Sequence, residues 1–279
     1  MNVLKIAAFS DGDIGGNPAG VALSDTLPAP EKMQESAAEV GFSETAFAAL
    51  EKDQKTWRVR YFSPESEVPF CGHATIALGA ALAEKFGPGK YMLRLNDAEI
   101  SVEGEKLEDR YAAALQSPPT RSDPLGQSEV EATLALFGYS HDQLDDSIPP
   151  ARIHGGADHY VFALKNRDDL RSMKYDLDSG RQFMRSRDLI TIMLLWREDE
   201  TTFHVRNAFA SGGVLEDPAT GAAAAAFSGY LKDIAWPHGG KINIIQGEDM
   251  GARSLITAEI GDEAGSSIRV SGMTRKMDD

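Results

Sequence analysis

Two stretches of the chain each predict a helix that is apolar on every side, and their sequences resemble each other. Residues 67–82 and 216–231, aligned without a gap, share a Glu, a Pro, a Gly, two Ala and a final Leu. In each, a proline-containing turn leads to a glycine, after which the charges stop for about three helical turns. A helix that is apolar all round is a buried helix. The repeat therefore predicts two similar domains, each with a buried central helix.

The remaining pattern is one of short strands and helices separated by turn residues. Thr56 to Ser63 alternates between apolar and polar residues and predicts a strand. Pro30 to Val40 predicts a helix that ends at Gly41, and Ser43 to Leu50 predicts a strand. Residues 11–20 read as a turn, and 117–127, rich in Pro, Ser and Asp, as the linker between domains. Further strands are predicted at 3–9, 91–95, 98–102, 111–116, 158–164, 190–196, 201–207, 242–246, 254–260 and 267–270, and further helices at 128–137 and 168–176.

Buried helices combined with mostly antiparallel strands predict an α+β protein. We expect two pseudo-symmetric domains, each a mixed, mostly antiparallel sheet rolled around its central buried helix. The predicted N-terminal domain covers 1–118 and is completed by 268–279, and the C-terminal domain covers 119–267.

Charge and cysteine content narrow the function. The net charge is −15, so the surface repels nucleic acid and acidic membranes, and neither is expected as a partner. Cys71 is the only cysteine, so no intrachain disulfide can form and a reducing compartment is expected. Met1 to Lys5 lacks the features of a signal peptide. We therefore predict a cytoplasmic protein.

The two predicted helix starts suggest how an acidic protein could bind an anion. A glycine turn that leads into a helix presents free backbone N–H groups and the positive end of the helix dipole. With one such start in each domain, we expect a small anionic ligand to lie in the cleft between the domains.

Three ionisable side chains near these starts are candidates for chemistry. Glu44 lies among apolar residues of a predicted strand, and a buried carboxyl group with a raised pKa can exchange a proton near neutral pH. Taken alone, such a glutamate is more often structural. Asp217 could equally interact with helix-start amides, and His73 could simply hold its loop. The histidines show no metal-ligand spacing, and no metal is predicted.

Several motifs, in order along the chain, resemble the phenazine biosynthesis PhzF-like family. They are Asn17-Pro18-Ala19-Gly20-Val21, Gly41 to Phe47, Phe62-Ser63-Pro64, Glu67 to Thr75, Glu216 to Gly221 and Gln246-Gly247. The resemblance implies the diaminopimelate-epimerase-like fold, proton transfer without a cofactor, and a homodimer.

The resemblance also implies roles for individual residues. In the family's phenazine enzyme, the residue that matches Glu44 moves a proton within trans-2,3-dihydro-3-hydroxyanthranilate. His73 and Asp217 would line the site, and amides around Gly72, His73 and Gly221 would hold the substrate carboxylate. The predicted catalytic residues are thus Glu44, Asp217 and His73, and the predicted substrate-binding residues are Asn17, Cys71, Gly72, Ala74, Thr220, Gly221 and Ala222.

One departure from the family pattern leaves alternatives open. Ala222 stands where the family usually has a serine, so a side-chain hydroxyl is absent at this position and the change bears on the substrate more than on the mechanism. The wider fold family includes racemases with one cysteine at each helix start; here the first is Cys71, but its counterpart is Thr220. The prediction is an isomerase or epimerase of a small carboxylate, with a Cys71-dependent racemase and a non-catalytic anion-binding protein as alternatives.

Overall fold

The computed structural model describes residues 2–277 and divides the chain into two compact units. Unit 1 contains the residues up to Gln116 and those from Ser271 onward, and unit 2 contains Ser117–Val270. Residues 1, 278 and 279, which the predicted N-terminal domain and the signal-peptide argument included, lie outside the described residues. Within 2–277, the helices are all too short or too polar to cross a membrane. The secondary structure is α+β, as predicted.

Unit 1 contains two helices and the first eight strands of the chain. The helices are α1 (Pro30–Val40) and α2 (Gly72–Phe86). The strands are β1 (Leu4–Ala8), β2 (Asn17–Ser24), β3 (Thr45–Leu50), β4 (Thr56–Phe62), β5 (Glu67–Val68), β6 (Gly89–Arg94), β7 (Glu99–Leu107) and β8 (Arg110–Pro119).

The strands of unit 1 close into a ring around α2. The pairs β1–β2, β3–β4, β6–β7 and β7–β8 are antiparallel, whereas β2–β3 and β4–β6 are parallel. The ring is closed by the chain's last strand, which pairs with both β1 and β8. Helix α2 packs against β1, β2, β3, β6 and β7. A Cβ on Gly104 would collide with the backbone of Gly79, so glycine permits the close approach of β7 to α2.

The two helices of unit 1 differ as their sequences predict. Helix α1 begins at Pro30, buries only Met33 and Ala37, and ends at Gly41 with φ 70°, a conformation that suits glycine. Helix α2 is buried along His73 to Ala83, consistent with its lack of a polar face.

Unit 2 contains four helices and the rest of the strands. The helices are α3 (Gln127–Phe137), α4 (Arg167–Arg171), α5 (Leu177–Arg185) and α6 (Gly221–Asp233). The strands are β9 (Arg121–Pro124), β10 (Ala151–His154), β11 (Asp158–Ala163), β12 (Thr191–Arg197), β13 (Thr202–Ala208), β14 (Glu216–Asp217), β15 (Lys241–Gln246) and β16 (Ser254–Glu259). The last strand of the chain, β17 (Ser267–Lys276), begins in unit 2 and continues from Ser271 in unit 1, where it closes the ring.

Unit 2 repeats the pairing order of unit 1. The pairs β10–β11, β12–β13 and β15–β16 are antiparallel, and β11–β12 and β13–β15 are parallel. Helix α6 packs against β9, β10, β11 and β16 and is buried from Ala223 to Leu231. A second apolar core lies under α3, α4 and α5, where Phe162, Leu170 and Met184 are fully buried.

The same short strand and ion pair precede both central helices. In unit 1, β5 pairs with the end of β4, and Arg60 binds Glu67 at 2.5 Å. In unit 2, β14 pairs with the end of β13, and Arg206 binds Glu216 at 2.5 Å. The repeat seen in the sequence therefore extends to the hydrogen bonds and ion pairs that lead into α2 and α6.

Several predicted elements were wrong. Residues 17–20 belong to β2 rather than to a turn, and 117–124 are largely strand rather than linker. The predicted helix at 168–176 is shorter, as α4, and α5 follows it after a break. Glu44 lies immediately before β3, so it is a loop residue and not a strand residue as predicted.

Candidate functional site

The first helix start of interest is that of α2, where a cysteine occupies the N-cap position. Cys71 has extended backbone angles and makes no side-chain cap hydrogen bond to the helix. Helix α5 offers a contrast, since Asp176 caps it by accepting from the Ser179 amide. The first amides of a helix have no partner within the helix. With no side-chain cap at α2, these N–H groups are available to an anionic ligand.

Glu44 and His73 meet beside this helix start. The Oε2 atom of Glu44 lies 3.4 Å from Nε2 of His73. Both side chains are largely buried, with 17% of Glu44 and 8% of His73 exposed. The loop before β3 positions Glu44, whose carbonyl accepts from the Gly20 amide. His73 is the second residue of α2. A carboxyl group thus faces an imidazole in a site with limited access to water.

Two further side chains contact the same imidazole. Ser43 Oγ lies 3.4 Å from His73 Nε2, and Cys71 Sγ lies 3.3 Å from His73 Nδ1. The contacts of His73 with Ser43, Glu44 and Cys71 restrict the orientation of its ring. Sequence reasoning did not single out Ser43, which is only one position before Glu44 in the recognised motif.

Buried hydroxyl groups hold the loop that carries Cys71. Thr75 Oγ1 donates to the Cys71 carbonyl at 2.7 Å and is itself 2.7 Å from the hydroxyl of Tyr61. Burial raises the pKa of Tyr61 well above its ordinary value, so the phenol stays neutral. These bonds tie the helix start to β4.

The other predicted residues of unit 1 occupy different positions. Asn17 is the first residue of β2, is buried, and pairs with Ala8 across the strands. Gly72 begins α2 and is partly exposed, whereas Ala74 is fully buried in the helix. Gly72 therefore presents backbone at the helix start, while the Ala74 side chain belongs to the packed helix.

The second helix start, that of α6, is organised by hydrogen bonds. Thr220 occupies the N-cap position without capping the helix, and its hydroxyl donates to the Asp217 carboxylate. Gln246 is fully buried and donates both to the Asp217 carbonyl at 2.7 Å and to Thr220 Oγ1 at 3.0 Å. It also accepts from the Thr220 amide at 3.2 Å. One side chain from β15 therefore fixes the loop from Asp217 to Thr220.

The residue after Gln246 also supports this loop. Gly247 has φ +73°, and a Cβ there would lie 2.7 Å from the Pro218 carbonyl oxygen. The strain and the close approach both require glycine. The Gln246-Gly247 pair recognised in the sequence thus holds the loop, although its role was not predicted.

Gly221 and Ala222 are the first two residues of α6. Gly221 is buried, and Ala222 is partly exposed. Asp217 lies in β14 and is buried. Within unit 1 the predicted residues Glu44, Cys71 and His73 come together. Within unit 2 a second group consists of Asp217, Thr220, Gly221 and Ala222.

Side chains of the types that bind metal ions also lie close together in unit 1, although their spacing in the sequence did not indicate it. Among the described residues, one group of three or more His, Cys, Asp or Glu side chains has ligand atoms close enough to hold a metal ion. It consists of Glu44, Cys71 and His73, whose ligand atoms lie within 4.8 Å of one another. The spacing missed it because Glu44 is distant in sequence and comes from the loop before β3.

Comparison with known proteins identifies the family of the chain. The family model of phenazine biosynthesis-like proteins matches residues 6–276. The uncharacterized isomerase YddE of Escherichia coli K12 is 29% identical over 285 residues, covering 97% of this chain and 94% of the relative. Trans-2,3-dihydro-3-hydroxyanthranilate isomerase of Pseudomonas aeruginosa is 27% identical over 277 residues, covering 96% and 94%.

Solved structures show the same fold. A PhzF-family phenazine biosynthesis protein of Bacillus anthracis superposes with a TM-score of 0.85 at 23% identity, covering 99% of this chain and 96% of that one. A hydroxyproline epimerase of Agrobacterium vitis superposes with a TM-score of 0.61 at 10% identity, covering 99% and 90%.

Proposed function

The chain belongs to the phenazine biosynthesis-like family and is an isomerase or epimerase, and from that premise we propose that it moves a proton on a small carboxylate without a cofactor. Glu44 is the proposed acid/base. The non-catalytic alternative is not retained, because the relatives are isomerases.

One observation carries the proposal: the Glu44 carboxylate lies 3.4 Å from His73 Nε2 beside the uncapped start of α2. Acid/base catalysis needs a carboxyl group that is positioned, shielded from water and close to a group that can orient it or share its proton. Glu44 and His73 meet these needs, and the amides of α2 add donors for negative charge.

The proposed reaction moves only a proton. The Glu44 carboxylate takes a proton from a carbon of the substrate, and the electron pair left behind delocalises into the conjugated group. Glu44 then returns the proton to another carbon on the same face, giving an isomer. An epimer forms when a second acid, a role open to Asp217, protonates the opposite face. A positioned acid/base contributes about 10²–10⁴ in rate. Backbone donors that stabilise the developing negative charge contribute about 3–4 kcal/mol each.

The group at the start of α6 has a supporting part in this proposal. Asp217 has its carboxylate hydrogen-bonded by Thr220 and its carbonyl by Gln246, so its position is fixed. The start of α6, like that of α2, lacks a side-chain cap and can offer amides to a carboxylate. We propose that Asp217 positions substrate or relays protons, and that amides at Gly72, His73 and Gly221 bind the substrate carboxylate.

The proposed substrate class is a small unsaturated or α-substituted carboxylate whose C–H bond is acidified by conjugation. Trans-2,3-dihydro-3-hydroxyanthranilate, the substrate in the name of the Pseudomonas relative, is one compound to test first. Ala222 in place of the family serine removes one hydroxyl group at the start of α6 and is the reason to test a panel rather than a single acid. The homodimer, the cytoplasmic location and the absence of a required cofactor stay predictions.

Solvent-deuterium incorporation tests the proposal. The metal-free protein is incubated in D₂O with a panel of small carboxylates, and deuterium in the recovered acids is measured by mass spectrometry. We expect exchange into at least one acid, with a loss of about 10²–10⁴ in Glu44→Gln. The matched control is Glu39→Gln, because Glu39 is an exposed glutamate of α1. Exchange by Glu44→Gln at the unaltered rate would refute the role of Glu44.

A second candidate mechanism rests on the 3.3 Å contact between Cys71 Sγ and His73 Nδ1. A thiol beside an imidazole and a helix N-terminus has a stabilised thiolate and can act as a base. In that mechanism Cys71 takes the proton, as in the cysteine-dependent racemase alternative. Cys71→Ala would then abolish exchange while Glu44→Gln would retain it.

A further inference from the structure

Glu44, Cys71 and His73 have a second chemical property that the proton-transfer mechanism does not use. They are a carboxylate, a thiol and an imidazole, which are the three side-chain types that bind Zn²⁺ in proteins. Their ligand atoms lie within 4.8 Å of one another. A thiolate and a carboxylate together carry two negative charges, which would neutralise the charge of a divalent ion.

The separations of the ligand atoms are close to those of a tetrahedral zinc site. Cys71 Sγ lies nearer to Nδ1 of His73, at 3.3 Å, than to Nε2, so an ion bound at Nε2 requires the thiol to turn towards that nitrogen. His73 Nε2 lies 3.4 Å from Glu44 Oε2 and 3.8 Å from Cys71 Sγ. Tetrahedral zinc with bond lengths of roughly 2.0–2.3 Å places its ligand atoms roughly 3.3–3.8 Å apart. Three protein ligands leave one position of a tetrahedral ion for a water molecule.

The site is also built to hold its ligands in place. Cys71 is 8% exposed and belongs to a loop fixed by Thr75 and Tyr61. His73 is the second residue of a buried helix, and Glu44 is anchored through its carbonyl by the Gly20 amide. Because the backbone segments that carry the ligands are fixed, only side-chain torsions have to adjust when an ion binds, which lowers the cost of binding.

We propose that Glu44, Cys71 and His73 form an inhibitory binding site for Zn²⁺ or a similar divalent transition-metal ion. On binding, the Cys71 thiol releases its proton to solvent and forms a metal–sulfur bond, and a Glu44 oxygen donates a lone pair to the ion. Glu44 can then no longer accept a proton from a substrate. The inhibitory part rests on the proposed function, whereas metal binding does not.

Cobalt binding to the untagged, chelator-treated protein tests the site directly. Co²⁺ reports a bound thiolate through a near-ultraviolet sulfur-to-cobalt charge-transfer band. We expect the band to saturate at one equivalent and to be displaced by Zn²⁺. Absence of the band in the native protein would overturn the proposal, and this result does not depend on any variant or on turnover.

Variants then identify the ligands. Loss of an outer-shell partner already costs about 10–100-fold in metal affinity, so we expect Cys71→Ser to abolish the band and to weaken Zn²⁺ binding by at least about 100-fold. Glu44→Gln should weaken binding and keep the band. The control is His154→Gln, which removes another imidazole that is paired with a carboxylate, that of Asp158. Circular dichroism checks folding, and undiminished Zn²⁺ affinity in folded Cys71→Ser would overturn the assignment.

The inhibitory part has its own readout. With an acid that the metal-free protein exchanges, one equivalent of Zn²⁺ should stop deuterium incorporation, and a chelator should restore it. Continued exchange by the zinc-loaded protein would overturn inhibition while leaving binding intact. If the metal-free protein exchanges no acid, the proposed function fails, and the cobalt spectrum still decides whether the metal site exists.

Discussion

The starts of α2 and α6 share a backbone arrangement and differ in chemistry. In each, an Arg–Glu ion pair and a proline precede an uncapped helix whose first residue is glycine. At α2 the residues on either side of that glycine are Cys71 and His73. At α6 they are Thr220 and Ala222. The two helix starts therefore share their backbone arrangement, and the residues on either side of the glycine are ionisable only at α2.

The same contrast holds for Glu44. It immediately precedes β3, and the residue that immediately precedes β12 in unit 2 is Ile190. The next residues are both threonine, Thr45 and Thr191, which supports this correspondence. Within the part of the chain that the structure describes, the carboxyl–imidazole–thiol group therefore belongs to unit 1, and unit 2 has a hydrogen-bonded framework at the equivalent place. The comparison teaches that the two units share the backbone arrangement at the helix start and differ in the side chains that surround it.

The two ion pairs provide the largest expected difference in stability. The Glu216 side chain is 5% exposed, whereas that of Glu67 is 27% exposed. Removing one partner of a buried pair leaves a buried charge and costs about 3 kcal/mol or more, whereas a more exposed pair contributes at most about 1 kcal/mol. We expect Glu216→Gln to lower the free energy of unfolding by about 3 kcal/mol and Glu67→Gln by about 1 kcal/mol. Urea unfolding measures both, and equal losses would show that the pairs are equivalent.

The second-largest expected difference is in how the stability of each unit depends on pH. In unit 2, His159 is fully buried beside Thr191. In unit 1, the equivalent Thr45 pairs with Gly20, and a Cβ there would lie 2.5 Å from the Thr45 hydroxyl oxygen, so no side chain fits at that position. Burial lowers the pKa of His159 from 6.5 to about 3. As the pH falls, His159 is protonated in the unfolded chain before it is protonated in the folded protein. The stability that comes from keeping His159 neutral is therefore fully present above pH 6.5 and is lost as the pH falls towards 3.

Between pH 7 and pH 5, His159 should account for a loss of about 2 kcal/mol in the free energy of unfolding. We expect His159→Gln to remove this part of the pH dependence, measured by urea unfolding at both pH values. His141→Gln, at an exposed histidine, is the control and should leave it unchanged. An identical pH dependence in His159→Gln and the native protein would contradict the assignment.

The loops before α2 and α6 are held by different bonds, which gives a third, smaller contrast. Gln246→Leu would remove the hydrogen bond to the Asp217 carbonyl and the acceptor of the Thr220 amide. Tyr61→Phe would remove one hydroxyl, while Thr75 would still bond to the Cys71 carbonyl. An unsatisfied buried group costs about 1–3 kcal/mol, and one ordinary hydrogen bond about 1 kcal/mol. We expect Gln246→Leu to be about 1 kcal/mol more destabilising than Tyr61→Phe, and the reverse order in urea unfolding would be contrary to this account.

The smallest expected effect on stability is at Ala222. Ala222→Ser restores a hydroxyl at a partly exposed position and should change the free energy of unfolding by less than about 0.5 kcal/mol. We expect it to change which acids bind, measured as dissociation constants across the panel. An unchanged ligand profile would show that this position does not contact the ligand.

Local patterns predicted some elements well and others poorly, for physical reasons. Helix α1 has the predicted bounds, since its proline start and glycine end are both local signals. Strand β2 was missed because Asn17-Pro18-Ala19-Gly20 consists mostly of turn residues, and it is the strand pairing with β1 and β3 that fixes its conformation. The supposed linker is strand for the same reason: β9 pairs with β10, which local sequence did not reveal.

The site was predictable only in part. The helix starts at Gly72 and Gly221 follow from the repeat, but the meeting of Glu44 with His73 depends on the chain path from β3 to α2, which the resemblance supplied and spacing did not. Gln246 was recognised as part of a motif without a role, because a buried side chain that hydrogen-bonds a distant loop leaves no local pattern.

The central claim is that the proton is moved by Glu44 of unit 1 and not by the thiol at the N-cap of α2. The most direct measurement is solvent-deuterium incorporation by metal-free Glu44→Gln and Cys71→Ala, side by side on the same exchanged acid. We predict a loss of about 10²–10⁴ for Glu44→Gln and a much smaller loss for Cys71→Ala. Exchange that survives in Glu44→Gln and disappears in folded Cys71→Ala would contradict the account and establish the thiol mechanism instead.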